Sequence, residues 1–183
     1  MPKTRAAVSR DVKTEQILAL AERRLRDGGY EALSIAGMAR ELGVAQNAIY
    51  WYFESKDKLF VATLQRMLEE IVSRKPSRET DVRERILWFT DEFQTLSRLR
   101  GAMSERARSS RPVAEFVAGL DELLSRLLSG ALREHVAEEE LPMAVETFRA
   151  TVEGTFARAL DDAQRRRLLG FALERLIGAA GAP

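Results

Sequence analysis

SIAGMARELGVAQNAIYWYFESKDKL, residues 34–59, is the stretch from which the fold can be read. Ser34 is a predicted N-cap, because its hydroxyl can accept from the orphan N–H groups of a first helical turn. Ile35, Met38, Ala39 and Leu42 then recur at helical spacing and make one apolar face. Gly43 follows where a helix end commonly needs a left-handed residue. Val44 is a lone apolar residue placed to fill the angle between two helices. A second short helix is predicted over residues 46–52. Ile49 and Phe53, four apart, face inward. Gln46, Asn47, Tyr50 and Trp51 are left to face out, with Tyr52 at the helix end. Two helices joined by a short Gly-containing turn form the helix-turn-helix pattern, whose second helix enters the DNA major groove.

The outward residues suit that task. Gln46 and Asn47 can pair bidentately with adenine edges. The hydroxyls of Tyr50 and Tyr52 and the indole N–H of Trp51 can donate to phosphate oxygens. Lys56 opens a further helix capped by Ser55, so its ammonium and the backbone N–H groups can hold one phosphate together. Ser34 adds a candidate phosphate contact at the start of the first helix. The plain alternative is a helical hairpin with an aromatic surface. Tyr50, Trp51 and Tyr52 are consecutive and cannot all be buried on one face, and so much exposed ring area asks for a partner.

The stretch resembles the DNA-binding domain of TetR-family transcriptional repressors. The resemblance is carried by Gly43-Val44, Ile49-Tyr50, Tyr52-Phe53 and Lys56-Asp57-Lys58-Leu59. It departs at Ala45, where the family often has a Ser or Thr cap, at Asn47, where Gly or Pro is frequent, and at Tyr52, where His is common. These departures bear on the operator sequence rather than on the family. The motif covers about the first third of the chain; beyond it only helix order and composition agree.

Composition fits an all-α regulator. Of 183 residues, 45% are hydrophobic and 31% charged, which is enough apolar content for a packed core. Lys and Arg number 29 against 28 Asp and Glu, so any DNA contact must be local rather than a general basic coat. With no cysteine, disulfides, thiol catalysis and Cys-based zinc sites are excluded. No apolar run has the length of a membrane span, and the amino-terminal end lacks the apolar core of a signal peptide. The expectation is a cytoplasmic protein that does not engage a membrane.

Residues 1–58 read as a three-helix DNA-binding domain and residues 59–183 as a helical effector and dimerisation bundle. The whole chain is expected to hold about nine helices. Lys3, Arg5 and Arg10 lie in an amino-terminal arm over residues 1–10, which reads equally as a DNA-contacting arm or a solubilising tail. The first helix spans residues 11–27 and stops at Gly28-Gly29. A long helix over residues 56–74 follows the motif, and another over 79–100 is broken by Gly101. A weak segment over 102–109 precedes a helix that begins at Ser110-Arg111-Pro112 and continues past Gly130. His135 and Glu139 would share a helical face if that helix continued; a solvated acidic helix end is the stronger reading, and no metal or cofactor is expected.

The last two helices are expected over residues 142–160 and from Asp161, where Gln164 completes a capping box. Val145, Phe148, Val152, Phe156 and Ala159 stripe the first. Leu169, Ala172, Leu176 and Ala180 stripe the second, and Leu168, Phe171 and Leu173 widen it. Apolar residues over so much of a helix need more cover than one neighbour supplies. The TetR resemblance implies that these helices form a homodimer interface, and a two-fold operator independently asks for two copies. It also implies a small-molecule effector pocket inside the bundle. Trp88, Phe89, Phe93, Met103, Phe116, Phe148 and Phe156 are its candidate lining, though aromatic and Met residues at helical spacing are more often plain core. Their surroundings favour an apolar or amphipathic effector. With no phosphate loop, paired carboxylates or Ser-His-Asp set, an enzyme is not expected. The expectation is a ligand-responsive homodimeric repressor of a palindromic double-stranded operator. The competing class is a DNA-binding adaptor whose bundle binds another protein.

Overall fold

A computed structural model describes residues 5–158 and 160–179. Among them are ten α-helices, one 3-10 turn and no strand. The helices are α1 (Arg5–Gly28), α2 (Ile35–Glu41), α3 (Gln46–Tyr52), α4 (Lys56–Ser73), α5 (Val82–Glu92), α6 (Gln94–Arg98), α7 (Arg100–Ala107), α8 (Arg111–Leu132), α9 (Leu141–Phe156) and α10 (Asp162–Ala179). They form two compact units. Of the described residues, the first holds 5–73 and 98–117, and the second holds 74–97, 118–158 and 160–179.

The first unit is built on α1 and α4, which pack together and bury Ile17, Leu20, Ala21, Leu25, Leu59, Phe60, Leu64 and Met67. Helix α1 begins at Arg5, so the arm expected over residues 1–10 is helical from that point; Lys3 lies outside the described residues. It ends where predicted, with Gly29 left-handed at φ 66°. Ser34 caps α2, accepting from the Gly37 N–H at 3.2 Å. Gly43 ends α2 at φ 64°, its N–H reaching the Arg40 carbonyl (3.3 Å), while the Val44 N–H reaches Ala39 (3.0 Å). These paired bonds satisfy the last carbonyls of α2 and turn the chain toward α3. Ala45 precedes α3 without a side-chain cap, and α3 is held instead by burial of Ile49 and Phe53.

The second unit has one core. Ile86 and Leu87 of α5, Leu128 and Leu132 of α8, Val145 and Phe148 of α9, and Leu169 and Leu173 of α10 meet there. The helix expected over residues 79–100 is two shorter ones, α5 and α6, and α7 takes up Arg100 together with most of the weak segment expected over 102–109. Asp81 sets the start of α5 by accepting from the Glu84 N–H at 3.2 Å. The chain then breaks at Phe93 (ψ −3°) and at Leu99 (ψ −3°). Both residues are buried, and the two turns aim their side chains inward at the expense of a continuous helix. Gly101 is not the break; it lies inside α7. This division makes ten helices rather than about nine. Helix α9 ends at Phe156, short of residue 160. Asp161 and Gln164 form the capping box of α10, with reciprocal bonds of 2.7 and 3.1 Å. Ala159 and Ala180 lie outside the described residues. Helix α8 stops at Leu132, so His135 and Glu139 share no helical face. No described helix is long and apolar enough to cross a membrane.

Candidate nucleic-acid interface

Helix α3 presents its polar side because its apolar side is spent on the core. Ile49 is fully buried. Its neighbours Gln46, Asn47, Tyr50 and Trp51 are exposed, Trp51 to 64%, and Tyr52 is half-buried. The Trp51 and Tyr52 rings meet edge to face with centroids 4.9 Å apart. The guanidinium of Arg10 lies over the Trp51 ring, 4.6 Å from its centroid. Arg10 therefore brings a cation from α1 to the outer surface of α3. Sequence reading placed Arg10 in an arm and did not pair it with Trp51, since their contact depends on α1 beginning early.

The start of α4 carries a second cluster. Ser55 Oγ accepts from the Lys58 N–H at 3.1 Å and caps the helix, as the sequence implied. Lys58 pairs with Glu54. Lys56 instead places its ammonium 3.9 Å from the centroid of the Tyr30 ring. The Tyr30 hydroxyl donates to Asp57 Oδ1 at 2.6 Å, and Arg106 of α7 donates to both Asp57 oxygens, at 3.1 and 2.7 Å. The Arg106 fork is the main influence holding the Asp57 carboxyl down at about 2, with Tyr30 and Ser110 as further donors and burial opposing them. Burial, followed by the bond to Asp57, pushes Tyr30 up to about 12. Neither Tyr30 nor Arg106 belongs to the motif, so their parts are visible only in three dimensions. A cavity of about 250 Å³ lies in this unit, lined by Gly28, Tyr30, Glu31, Ala102, Glu105 and Arg106.

The candidate effector residues are divided between the units. Met103 and Phe116 are buried in residues of the first. In the second, Trp88 and Phe89 are half-buried with rings 5.1 Å apart, and Phe93 and Phe148 are buried. Phe156 is half-buried, with the guanidinium of Arg165 5.1 Å from its ring. Arg165 is itself buried and donates to Asp162 and the Leu160 carbonyl, a charge beside this stripe that periodicity did not reveal. Of the candidate dimer residues, Val145, Phe148, Leu169 and Leu173 lie in the core of their own unit. Val152, Phe156, Ala172 and Leu176 are half-buried. The outward apolar residues of the last two helices are Met143, Leu168 and Phe171.

Residues 17–63 match the family model described as bacterial regulatory proteins, tetR family. The nucleoid occlusion factor SlmA of Haemophilus influenzae is 28% identical over 123 residues, covering 60% of this chain and 56% of that protein. The HTH-type transcriptional activator FasR of Mycolicibacterium smegmatis is 34% identical over 94 residues, covering 51% of this chain and 38% of that one. The chain thus spans about half the length or less of these curated relatives. A TetR transcription regulator from Haloarcula marismortui has the same fold, with a TM-score of 0.75 at 24% identity over 93% of this chain and 98% of that one. Fold and motif together define a helix-turn-helix DNA-binding regulator. Residues 17–63 are thus similar to the amino-terminal domain of the TetR family, and the chain as a whole has the fold of the Haloarcula marismortui regulator.

Proposed function

We propose that the protein acts as a homodimeric, effector-responsive repressor of a two-fold symmetric operator, without chemistry of its own. The observation that carries this reading is α3, which buries Ile49 and leaves Gln46, Asn47, Tyr50 and Trp51 exposed. Gln46 and Asn47 read base edges. Tyr50, Trp51, Tyr52 and Lys56 hold phosphates, and the Ser34 hydroxyl, whose oxygen already caps α2, donates its proton to another.

The dimer seam runs along the outer faces of α9 and α10. Leu168 and Phe171 are 43% and 56% exposed on α10 and share one face with Ala172. On α9, Met143 is 72% exposed and is followed at helical spacing by the exposed small residues Thr147, Ala150 and Gly154. Small side chains there let a second helix approach closely, and the buried Val145, Phe148, Leu169 and Leu173 support the seam from behind. An apolar or amphipathic effector would enter beside the half-buried Trp88, Phe89 and Phe156. Protein and DNA meet in the cytoplasm.

Selection from random duplex DNA tests the reading. Enrichment of a two-fold symmetric sequence, bound by a dimer in sedimentation, is expected; no enriched sequence overturns it. The relatives bear different names, an occlusion factor and an activator, so repression is read directly by transcription in vitro from a promoter overlapping the selected site. A rise in transcript on adding the protein overturns the repressor assignment.

A further inference from the structure

We propose that Tyr30 is a positioning residue for DNA binding: its ring holds the Lys56 ammonium where a phosphate can meet it. The proposal rests on the reading of Lys56 as a phosphate contact. Tyr30 lies in the 3-10 turn between α1 and α2, outside the helix-turn-helix itself. Its ring is fixed on two sides. One edge packs against Phe60 of α4, with centroids 5.0 Å apart and planes at 73°. Its hydroxyl is bonded to Asp57, which Arg106 grips through both oxygens. A ring so held cannot swing away from Lys56, whose ammonium stands 3.9 Å from its centre.

A lysine on the surface of a first helical turn samples many rotamers, and confining it to one phosphate costs conformational entropy. A cation held over a ring face has lost part of that freedom before DNA arrives. The ring leaves the ammonium protons able to donate, because it offers no acceptor as strong as a phosphate oxygen. Asp57 adds a second condition. Its carboxylate adjoins Lys56 in sequence and, left unpaired, would repel the same phosphate. The Arg106 fork neutralises it, and the Tyr30 hydroxyl occupies one of its oxygens. Tyr30 thus serves both groups, giving Lys56 a seat and helping to occupy Asp57.

The test is fluorescence anisotropy across a salt series, on the selected operator and a scrambled duplex. The variants are Lys56→Ala, Tyr30→Leu, Tyr30→Phe and the Tyr30→Leu/Lys56→Ala double. Lys56→Ala is expected to weaken both duplexes and to reduce the salt slope by about one phosphate per subunit. Tyr30→Leu should weaken binding by roughly two- to fivefold, the scale of an exposed cation–π contact. In the Lys56→Ala background it should lose most of this effect, the small remainder being the bond withdrawn from Asp57. Tyr30→Phe keeps the ring and should restore most of the affinity.

If Lys56→Ala leaves affinity and slope unchanged, the phosphate reading of Lys56 fails. If Lys56→Ala behaves as stated but Tyr30→Leu has no effect, or adds its full effect in the double variant, the positioning role fails while the reading of Lys56 stands. Tighter binding by Tyr30→Leu would mean that the ring withholds Lys56 from DNA, which also overturns the proposal. A readout that needs no change at Tyr30 guards against a variant that does not fold. In the wild-type protein the Lys56 ε-methylene protons, assigned by their loss in Lys56→Ala, should resonate upfield of those of Lys58 because of the ring current. Equal shifts overturn the geometry.

Discussion

The Tyr30 hydroxyl donates to Asp57 Oδ1 across 2.6 Å, joining residues 27 positions apart at the point where α4 begins. Arg106 completes the group from α7. The carboxylate is the shared acceptor, and its charge sustains both partners. Charge-assisted bonds of this kind contribute more than neutral ones.

Asp57→Asn is therefore expected to destabilise the protein at neutral pH by roughly 1–3 kcal/mol, measured by urea unfolding. The Asp57 carboxyl is held down at about 2, so its contribution is fully present above the ordinary carboxylate range and is lost as pH falls through about 2. The gap between wild type and Asp57→Asn should accordingly narrow on acidification. Tyr30 runs the other way. With its hydroxyl pushed up to about 12, the neutral form is favoured in the folded protein; that contribution is present below the ordinary tyrosine value and is lost as pH climbs through about 12. A gap that stays constant down to the acid limit would show that Asp57 carries no such linkage.

Two glycines should respond oppositely to the same substitution. Gly43 has φ 64°, and a Cβ built there meets nothing within 4 Å. Gly43→Ala thus meets backbone strain alone and is expected to cost about 1–2 kcal/mol and to loosen the turn before α3. Gly101 lies inside α7 without a positive φ, and its added Cβ also meets open space. Gly101→Ala should stabilise by about 0.5–1 kcal/mol, because it restricts the unfolded chain and suits a helix. Thermal melts of the two variants should move in opposite directions.

Those two positions also show what the sequence could tell. Gly43 was readable because it follows a complete apolar face and precedes a turn, so local chemistry decides its conformation. Gly101 was misread as a helix end because nothing local distinguishes a tolerated helical glycine from a terminal one. The true breaks, at Phe93 and Leu99, are ordinary helix residues whose conformation follows from burying their side chains. Periodicity found the apolar stripes of α9 and α10 but not which side faces the chain's own core. Leu169 and Leu173 turned out to be core, while Leu168 and Phe171, read as mere widening of the stripe, are the exposed pair. The outward residues of α3 were legible because a short helix with one buried aliphatic leaves little choice. Arg10, Tyr30 and Arg106 were not, because their contacts join residues from 27 to 49 positions apart or depend on where α1 begins.

The seam on α10 separates two substitutions two residues apart. Phe171→Arg places a charge on an exposed face and is expected to leave the fold intact while shifting sedimentation from dimer to monomer. Leu173 is fully buried in the core of the second unit. Leu173→Ala should cost about 2–5 kcal/mol through the cavity it leaves, and should lower the melting temperature. A Phe171→Arg protein that remains dimeric would move the seam off this face of α10.

Base and phosphate contacts on α3 should separate by their salt dependence. Gln46 is uncharged and exposed at the start of α3, so on the proposed reading Gln46→Ala removes a base contact and no counterion. It is expected to lose roughly 1–3 kcal/mol on the operator per bidentate pair, with little change on scrambled DNA and little change in salt slope. Arg10 offers the opposite case. It lies over Trp51 at the outer surface of α3, and a phosphate contact made by its charge would not depend on the base sequence. Arg10→Ala should weaken operator and scrambled DNA alike and flatten the slope by about one phosphate per subunit. Arg10→Lys keeps the charge but gives up the planar stacking of a guanidinium on the indole, so it should recover the slope and only part of the affinity. Trp51→Ala should make Arg10→Ala nearly silent if the ring is what holds the guanidinium in place. Anisotropy on the two duplexes across salt decides the matter. If Gln46→Ala weakens both duplexes equally, the base-reading face of α3 lies elsewhere; if Arg10→Ala leaves the slope unchanged, Arg10 braces Trp51 and touches no phosphate.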